Sequence, residues 1–479
     1  MKNSGHLTCG RGLAGFKVQL LYLMVILGSL HWGSPRAALA AQQVGAAARQ
    51  EQGSTGPAVV PEGSGDGAAP LLDRERGGAA LAQEGVGEGV GEYRTPLAAE
   101  ALQTEFMGRR ITLPAWDRGH MTAITLGASF LDSDQGDSEL LPIGALYLRH
   151  FWEQSRTRNV ISILVNDLEY ARTLGSFELV GHFENYTLPM DQTEIIENVE
   201  IEPTSVRWGT LTAAVGPGLR LPVAPYQVDN DFRLQLLGRV GYLYAQRSHN
   251  TGATQVLPPD TLLYGARLRA RYDSMRRNLL ELPHSGVAAG FDLDYLHRDH
   301  WRNLEPSASG STHRNYLQAR GHLVAAGGVP GLSERNRALF SIYGGKTNGD
   351  SADRYNAFTV NGGPFPSEQE DLARVHYTGL IYQDVRATSY ATATLGYRRE
   401  VTFFLYLSAL GSFIWADRGT VQGGEQVVFR DTTAAAATLS LDCGFFWDSA
   451  LYLAYIWESE FIRNGRSGSG VVLTWNKLF

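Results

Sequence analysis

Histidines near a strand end are the residues of this chain closest in type and spacing to catalytic or metal-binding chemistry. The segment "DYLHRDHW" (294–301) brings together His297, Asp299 and His300, and His313 begins the next predicted strand. Hydrolysis needs a nucleophile beside an oriented base, and no Gly-x-Ser-x-Gly elbow occurs. Two histidines three apart on an extended strand point to opposite faces, which disfavours a metal site. We therefore predict a polar rim, with no catalytic residue, metal or cofactor; a lipid hydrolase is the weaker alternative.

Arginines recur at every second position in "YGARLRARYDSM" (264–275), at 267, 269 and 271. Alternate side chains of a β-strand point to opposite faces, so the three guanidinium groups share one face. The opposite face carries Leu262, Tyr264, Ala266, Leu268, Ala270 and Tyr272. Such a strand needs an apolar environment on one side and partners for three charges on the other.

The composition is rich in glycine and poor in charge. The 479 residues include 54 glycines, and 19% are charged, against about a quarter in ordinary globular chains. Residues 1–40 contain four basic residues and no acidic ones, so the remainder has 38 basic against 49 acidic residues, a formal charge of −11. This balance excludes a nucleic-acid partner.

The amino terminus has the pattern of a secretory signal peptide. Lys2, Arg11 and Lys17 precede an apolar run at 18–30, and small residues follow at 38 and 40. The run is 13 residues long, whereas a membrane-spanning helix needs about 20. We predict a cleaved signal peptide at 1–40 and export; a single membrane anchor is the alternative.

Residues 41–114 resemble a tail rather than a domain. Alanine, glycine, glutamate and glutamine dominate most of this segment, and aromatic residues are few. Such a composition buries too little apolar surface to offset the entropy of ordering. We predict a disordered periplasmic tail, with one or two helical turns possible in "LAAEALQTEFMGRR" (97–110).

From about residue 115 onward, apolar residues alternate with small or polar residues in stretches of about ten. In "SGVAAGFDLDYLH" (285–297), for example, Val287, Phe291 and Tyr295 share one face and Asp292 the other. The predicted strands begin near 119, 142, 157, 174, 205, 231, 261, 285, 313, 336, 389, 402, 428, 451 and 468. The stretch 193–202 would supply a further strand that brings both termini to one side.

The polar face of these strands distinguishes a membrane barrel from a soluble sandwich. A soluble sheet would carry lysine and glutamate on its outer face, but lysine is scarce after residue 115, and small residues alternate with Arg, Gln, Asp and Thr. A lipid-facing apolar set with aromatic residues near the strand ends and a polar lumen is typical of a transmembrane barrel. We predict an all-β antiparallel barrel of about 16 strands over 115–479, located in the outer membrane of a Gram-negative cell.

The last predicted strand, "GVVLTWNKLF" (470–479), ends the chain on an aromatic residue. Trp475 and Phe479 lie on its apolar face. This ending resembles the carboxyl-terminal sorting signal of outer-membrane barrels, which implies the barrel-assembly machinery and outer-membrane lipid as partners.

Two further segments resemble the BamA/TamA-type barrel superfamily, also known as bacterial surface antigens. The first is 269–295, where Asp273, Pro283 and Gly286 match the family's strand end and short turn. The second is 390–419, where Tyr397 and Arg398 match a strand that ends in an aromatic residue and arginine. With the terminal strand, the resemblance covers about 265–479 and implies an outer-membrane protein or lipid assembly function.

The resemblance also implies a long loop that folds into the barrel. Residues 346–380 have the required length and position and contain Gly362 and Gly363. The family's valine-arginine-glycine-phenylalanine motif is absent; Arg354 and Arg374 are arginines of this stretch, but neither lies beside a glycine. The family's periplasmic POTRA repeats are not evident either.

The lumen is the remaining predicted source of function. Its charged residues, on the polar phase of their strands, are Arg233, Arg239, Arg267, Arg269, Arg271, Asp292, Asp294, Arg320 and Arg398. An arginine-rich lumen passes anions or is filled by ion pairs with forked geometry. Because the turn after residue 273 is short, we expect Arg267 and Arg269 to meet Asp292 or Asp294. The functional alternatives are an assembly barrel without enzymatic activity and a porin-like channel for small anionic solutes.

Overall fold

The structure, a computed structural model, describes residues 93–479 apart from several short gaps. The gaps are 99, 107, 116, 133–138, 163–164, 188–190, 254, 256, 302–312, 349–350, 368–371, 380–384, 425 and 446–448. The predicted signal peptide and residues 41–92 of the predicted tail lie outside the described residues. Within the described part, no helix is both long enough and apolar enough to cross a membrane.

In the part of the chain that the structure describes, twenty-one strands form a small sheet and a closed barrel. The small sheet pairs β1 (Leu102–Phe106) with β2 (Arg109–Leu113). The long barrel strands are β3 (His120–Asp132), β4 (Glu139–Trp152), β5 (Ser155–Ser162), β6 (Asn166–Leu174), β7 (Phe177–Thr187), β9 (Val199–Pro222), β10 (Asp231–Arg247), β11 (Thr261–Asp273), β13 (Pro283–Arg298), β14 (Asn315–Gly328), β15 (Asn336–Thr347), β17 (Val385–Thr402), β18 (Leu405–Gln422), β19 (Gln426–Phe445), β20 (Ser449–Glu458) and β21 (Gly468–Leu478). The short pieces β8 (Gln192–Ile196), β12 (Arg276–Arg277) and β16 (Phe358–Val360) extend it.

Every long strand pairs antiparallel with its neighbours, and the first closes on the last. The β21–β3 seam runs without interruption over ten residue pairs, from Ser469 opposite Asp132 to Leu478 opposite Ala123. Closure satisfies the backbone groups that an open sheet edge would expose to lipid. The predicted all-β barrel of about 16 strands is confirmed.

Two strand assignments differ from the sequence prediction. The stretch 193–202 is not a separate spanning strand: β8 and the start of β9 form a hairpin that turns at Glu197 and Asn198, both with positive φ. The missing spanning strand is β6, which pairs with β5 and β7. Its sequence "NDLEYARTL" has no clean apolar alternation because Asn166 and Arg172 interrupt the outward phase.

Residues 93–113 are structured, which corrects the prediction of a disordered tail up to 114 and of helical turns at 97–110. Thr95 donates its hydroxyl to Glu400 at 2.6 Å, and the Tyr93 hydroxyl bonds to the same carboxylate. The Ala98 amide donates to the Arg277 carbonyl at 2.9 Å. Backbone and side-chain partners on the barrel therefore order this segment where its composition alone would not.

The two ends of the barrel differ in their connections. At one end, the backbone of Phe479 bonds to Thr122, and the chain enters the barrel there before β3. We call this the terminal end. Its connections are at most nine residues long, whereas the opposite end, the loop end, includes the connection 348–384. Outer-membrane barrels keep short turns on the periplasmic side, which predicts a periplasmic position for the terminal end.

The outer surface of the barrel is apolar around its circumference. On β11, Leu262 and Tyr264 are 51% and 48% exposed, while the intervening Leu263 is 1% exposed. The same alternation appears on β13 and on β20, where Leu453, Tyr455 and Trp457 face outward. An exposed apolar band of this extent has no equivalent on a soluble protein and fits lipid.

We expect a charge at mid-strand on this surface to be costly. Leu268, in the middle of β11, faces outward. Leu268→Arg should reduce the free energy of unfolding in lipid vesicles by about 2–4 kcal/mol, because arginine would enter the hydrocarbon layer. The matched control is Leu332→Arg in the turn between β14 and β15, which should cost less than about 1 kcal/mol. Equal costs at the two sites would contradict the lipid-facing assignment.

Candidate functional site in the lumen

The charged wall of the lumen begins with the β11–β13 pair. Arg267 lies opposite Asp294 and Arg269 opposite Asp292, which is the register that the short turn predicted. Arg267 Nε donates to Asp294 Oδ1 at 2.7 Å, and the Arg269 and Asp292 side chains are 3.6 Å apart. All four residues are buried.

Asp292 is shared by three arginines. Arg271 Nη2 and Arg320 Nε each donate to Asp292 Oδ2 at 2.8 Å, in addition to the longer contact with Arg269. The Asp292 side chain is 1% exposed, so its charge has no access to solvent. A single buried carboxylate therefore holds together β11, β13 and β14.

Two glutamates that the sequence prediction missed complete the wall. Glu184 on β7 accepts from Arg267 Nη1 at 2.8 Å and from Arg239 Nη2 at 2.9 Å. Glu169 on β6 accepts from Arg269 Nη1 at 3.0 Å. Glu184 lies on the inward phase of "GHFENYT", a signal that was available in the sequence, whereas Glu169 belongs to the unpredicted strand β6.

The wall extends from Glu169 to β5 and β10. Arg156 bonds to Glu169 and donates to Glu178 at 2.9 and 2.8 Å, in forked geometry. Arg233 contacts Glu169 at 3.4 Å and Asp231 at 2.8 Å. Charges of both signs are thus paired across seven strands, as expected for buried ions.

Arg398 differs from the other predicted lumen residues. Its guanidinium donates to the Ser408 hydroxyl at 3.1 Å and to the Pro283 carbonyl at 3.0 Å. It contacts none of the network residues described above and lies near the terminal end of β17. The structure therefore brings the other predicted lumen residues into one wall but leaves Arg398 outside it.

The remaining positions that match the family segments have local structural partners. Asp273 accepts from Arg277 Nη2 at 2.7 Å, and the Tyr397 hydroxyl bonds to Asn336. Gly286 has φ of 113°, and a Cβ there would lie 2.4 Å from the Ser274 carbonyl oxygen, so glycine is required at this turn. The Gly363 carbonyl accepts from His376 Nε2 at 3.1 Å, and Gly362 is buried beside it.

The carboxyl terminus is paired and lipid-facing. Trp475 and Phe479 are 39% and 66% exposed on the outer surface. The Phe479 amide donates to the Thr122 carbonyl at 2.8 Å, next to the β21–β3 seam. Their role as an assembly signal remains a prediction.

Residues 348–379, here called the inward loop, leave the loop end after β15 and enter the lumen. Asp353, Phe365, Val375 and Tyr377 are each less than 5% exposed. Apolar residues of the loop pack with inward-facing residues of β13 to β15 and β17 to β21, and together they form the largest buried apolar cluster among the described residues. The inward position that the family resemblance predicted for this stretch is confirmed.

Arg298 on β13 holds the outer end of the inward loop. Its Nη1 and Nη2 donate to the two carboxylate oxygens of Asp353 at 2.5 and 3.3 Å. The guanidinium also lies 3.7 Å from the ring centroid of Trp301 and 4.6 Å from that of Tyr316. Arg298 continues the inward phase of Asp292 and Asp294, so its direction was readable from sequence, but its partner was not.

Other contacts fix the loop along its length. Tyr377 packs edge-on against Phe461, with ring centroids 5.5 Å apart. Arg354, one of the two arginines of the stretch, donates to the Thr204 carbonyl at 3.2 Å. The Thr392 hydroxyl of β17 donates to the His376 carbonyl at 3.0 Å.

His376 gives the docked loop a pH dependence. Burial lowers the pKa of His376 from its usual value to about 4. A displaced, solvated loop would bind a proton near pH 6.5, so the stabilisation is complete above that value and is lost as the pH falls towards 4. Between pH 7 and 5, wild type should lose about 2 kcal/mol more unfolding free energy than His376→Gln, measured by denaturant titration. The same loss in both proteins would contradict this assignment.

A second charged cluster lies at the terminal end. Arg118 Nη2 and Arg149 Nη1 contact Asp229 Oδ2 at 2.6 and 3.0 Å, and Arg118 Nη1 contacts Glu281 at 2.7 Å. Tyr226 stacks on Arg118, with its ring centroid 4.4 Å from the guanidinium carbon. These buried ion pairs tie the segment before β3 to β4 and to the turns that follow β9 and β11.

A cavity of about 300 Å³ remains between the charged wall and the inward loop. It also borders the one group of described residues whose donor atoms could hold a metal ion, Asp167, His182 and Glu184, with these atoms within 4.8 Å of one another. Both Glu184 oxygens already accept from arginines, and His182 Nε2 bonds to Asp167 at 2.9 Å. These partners satisfy the group without a metal.

The histidines that opened the sequence analysis do not form a site. The His297 ring bonds to Asn315 at 2.5 Å, and His300 contacts Asp299 at 3.1 Å. The side chains of His300 and Asp299 are 74% and 43% exposed. No described residue joins these pairs into a nucleophile–base–orienter arrangement.

Comparison with known proteins finds similarity at the level of architecture. CdiB from Acinetobacter baumannii has 8% identity and a TM-score of 0.45, over 80% of this chain and 66% of that chain, just under two thirds. BamA from Haemophilus ducreyi lacking POTRA domains 1–3 has 12% identity and a TM-score of 0.43, over 79% and 75%. Pseudomonas aeruginosa OccK11 has 12% identity and a TM-score of 0.31, over 75% and 95%. No family model and no curated protein matches the chain.

Closure of the sheet and its apolar outer surface decide the class. The protein is an outer-membrane β-barrel. Similarities at these identities and TM-scores do not choose between an assembly barrel and a channel.

Proposed function

We propose that the protein is an outer-membrane channel for small solutes that its inward loop holds closed. The observation that carries this proposal is the docking of residues 348–379 inside the barrel, against one wall, with a cavity that arginines and carboxylates partly line left against the other. The buried Arg298–Asp353 ion pair fixes the outer end of this loop, and the three-residue strand β16 joins the loop to β17. The loop lies outside the continuous long strands, so it can be displaced without unfolding the barrel.

The charged wall supports a polar pathway. Its arginines and carboxylates are fixed by strands and not by the inward loop, so they would remain in place when the loop moves. A lumen lined by fixed charges of both signs passes small hydrated solutes and selects among ions by its local excess of charge. The wall would therefore line the open pathway.

Conductance of the purified full chain in planar bilayers tests the proposal. Wild type should show small, flickering openings, and replacing 350–375 with a short Gly-Ser linker should give larger and steadier ones. The matched control replaces 250–258, the connection between β10 and β11 at the same end, and should conduct like wild type. If the loop-deleted barrel conducts no better than wild type, the proposal is wrong.

A BamA/TamA-type function in outer-membrane protein or lipid assembly is the second candidate. The position of the inward loop between β15 and β17 favours it, because the family resemblance assigns a long inward loop to this place. Assembly by such a barrel would need the β21–β3 seam to open, whereas solute passage would not. A disulfide between Val472→Cys and Ser129→Cys, which lie opposite each other, should leave conductance unchanged and abolish an assembly activity.

We propose further that the barrel has no enzymatic activity and that its partners are membrane lipid and, during biogenesis, the barrel-assembly machinery. The exposed pairs of His297 and His300 support the first point, and the lipid-facing Trp475 and Phe479 support the second. Alanine at both histidines should leave the lipid profile of the cell unchanged. A changed profile would favour the lipid hydrolase instead.

A further inference from the structure

The cavity beside the inward loop carries an excess of positive charge. Five arginines and three carboxylates line it, and Asp292 just outside the lining pairs with Arg320, so the formal excess is one positive charge. The arginines are Arg239, Arg267, Arg320, Arg374 and Arg386. Arg239 and Arg267 are paired with carboxylates, whereas Arg374 makes no ion pair with any residue that the structure describes. The charge of Arg374, on the inward loop, is therefore not balanced by a paired carboxylate among the described residues.

Two buried hydrogen-bond donors in the cavity lining have no acceptor. The Trp208 indole Nε1 and the Tyr186 hydroxyl are both buried and without a hydrogen-bond partner among the described residues, and Trp208 is 2% exposed. An indole N–H can only donate, so it needs an acceptor from outside this set. Orphaned buried donors are rare in native proteins and cost free energy unless something satisfies them.

The two donors lie together beside a cation. The rings of Tyr186 and Trp208 are 5.9 Å apart, and the Arg386 guanidinium carbon lies 4.5 and 4.6 Å from their centroids. Tyr355 of the inward loop packs edge-on against Trp208 at 5.4 Å. The arrangement combines positive charge and aromatic surface with two donors that no described residue accepts from.

We propose that this cavity binds a small anionic solute whose carboxylate or phosphoryl oxygens accept from Trp208 and Tyr186. Oxygen acceptors with negative charge satisfy both donors and offset the excess of arginine, which a neutral solute or a cation would not. The inference rests on the proposed function in one respect, because the bound anion would be the class of solute that passes when the inward loop opens.

Calorimetric titration of the purified full-length barrel in detergent tests the site. The probes are inorganic phosphate, benzoate and glutarate, with benzamide as the uncharged control. We expect at least one anion to bind and benzamide to give no heat. Trp208→Phe and Tyr186→Phe, which keep the rings and remove the donors, should each weaken binding about tenfold or more. Trp475→Phe, on the lipid-facing surface, should leave affinity unchanged.

The stability of the same variants separates a binding defect from a folding defect. Because Trp208→Phe removes an unsatisfied buried donor, the variant without ligand should unfold at the same or a higher denaturant concentration than wild type. Tighter binding of phosphate would assign a phosphoryl ligand, and tighter binding of benzoate or glutarate a carboxylate.

Two results would overturn the inference. One is the absence of binding by any of the three anions up to about 10 mM; the other is unchanged affinity in both donor variants. Either result would leave the channel proposal standing, because the conductance of the loop-deleted barrel tests that proposal independently. Conversely, anion binding by a barrel that never conducts would support this site and contradict the channel.

Discussion

Asp353→Asn should release the inward loop while the barrel stays folded. Asparagine leaves the Arg298 guanidinium, with a side chain 0% exposed, without its counter-ion. Removing one member of a buried ion pair costs about 3–5 kcal/mol, far more than the pair contributes relative to apolar residues. We expect larger and more frequent bilayer openings in Asp353→Asn, and the same result in Arg298→Met.

The paired variant is the decisive control for this prediction. Arg298→Met combined with Asp353→Leu removes both charges, so it should recover most of the wild-type closure. Asp260→Asn, at an exposed carboxylate of the loop end that bonds to Tyr242, should change neither stability nor conductance. Single variants that conduct like wild type would show that this ion pair does not hold the loop.

Arg269→Glu should prevent the barrel from reaching its folded state. In wild type, Glu169 accepts a hydrogen bond from Arg269, and Asp292 is in ionic contact with it. The new carboxylate would lie beside both of these carboxylates. The substitution removes a buried cation and adds like-charge repulsion, so its cost should exceed the 3–5 kcal/mol of a simple broken pair. Band-shift electrophoresis and denaturant titration of the refolded protein measure this effect.

Two further variants separate charge from packing at this position. Arg269→Met should cost less than Arg269→Glu, because Glu169 keeps Arg156 and Arg233, and Asp292 keeps Arg271 and Arg320. Arg430→Glu, at an exposed position of β19, should change stability by less than about 1 kcal/mol. If Arg269→Glu folds with wild-type stability, the charged wall is not a structural requirement.

The residues of the charged wall show how far the candidate site could be predicted. The phase of Arg267, Arg269, Asp292 and Asp294 followed from alternation, and their register followed from a short turn. Glu184 was on the correct phase of its strand but was not recognised as a partner. Its contact with Arg267 crosses from β7 to β11, two strands that are not adjacent, and such contacts depend on the curvature of the closed barrel.

The cavity residues were not predicted for a related reason. Trp208 and Tyr186 lie on the neighbouring strands β9 and β7, whereas Arg386 comes from β17, a strand that is distant from both in the barrel order. Nothing in the local sequence around each residue distinguishes it from an ordinary lining residue. Unsatisfied donors become visible only when every neighbouring acceptor is known.

By itself, the sequence determined that this protein is a membrane barrel and which side chains face lipid. Alternation has a period of two and is local, so it survives without knowledge of the fold. From this alternation we predicted a lumen lined by polar residues. On β20, however, the inward-facing residues Tyr452, Ala454 and Ile456 are apolar. Only the tertiary structure decided this, because the inward loop covers that half of the lumen and replaces water with a packed apolar core. The charged half kept its arginines because carboxylates from distant strands, and not solvent, pair with them.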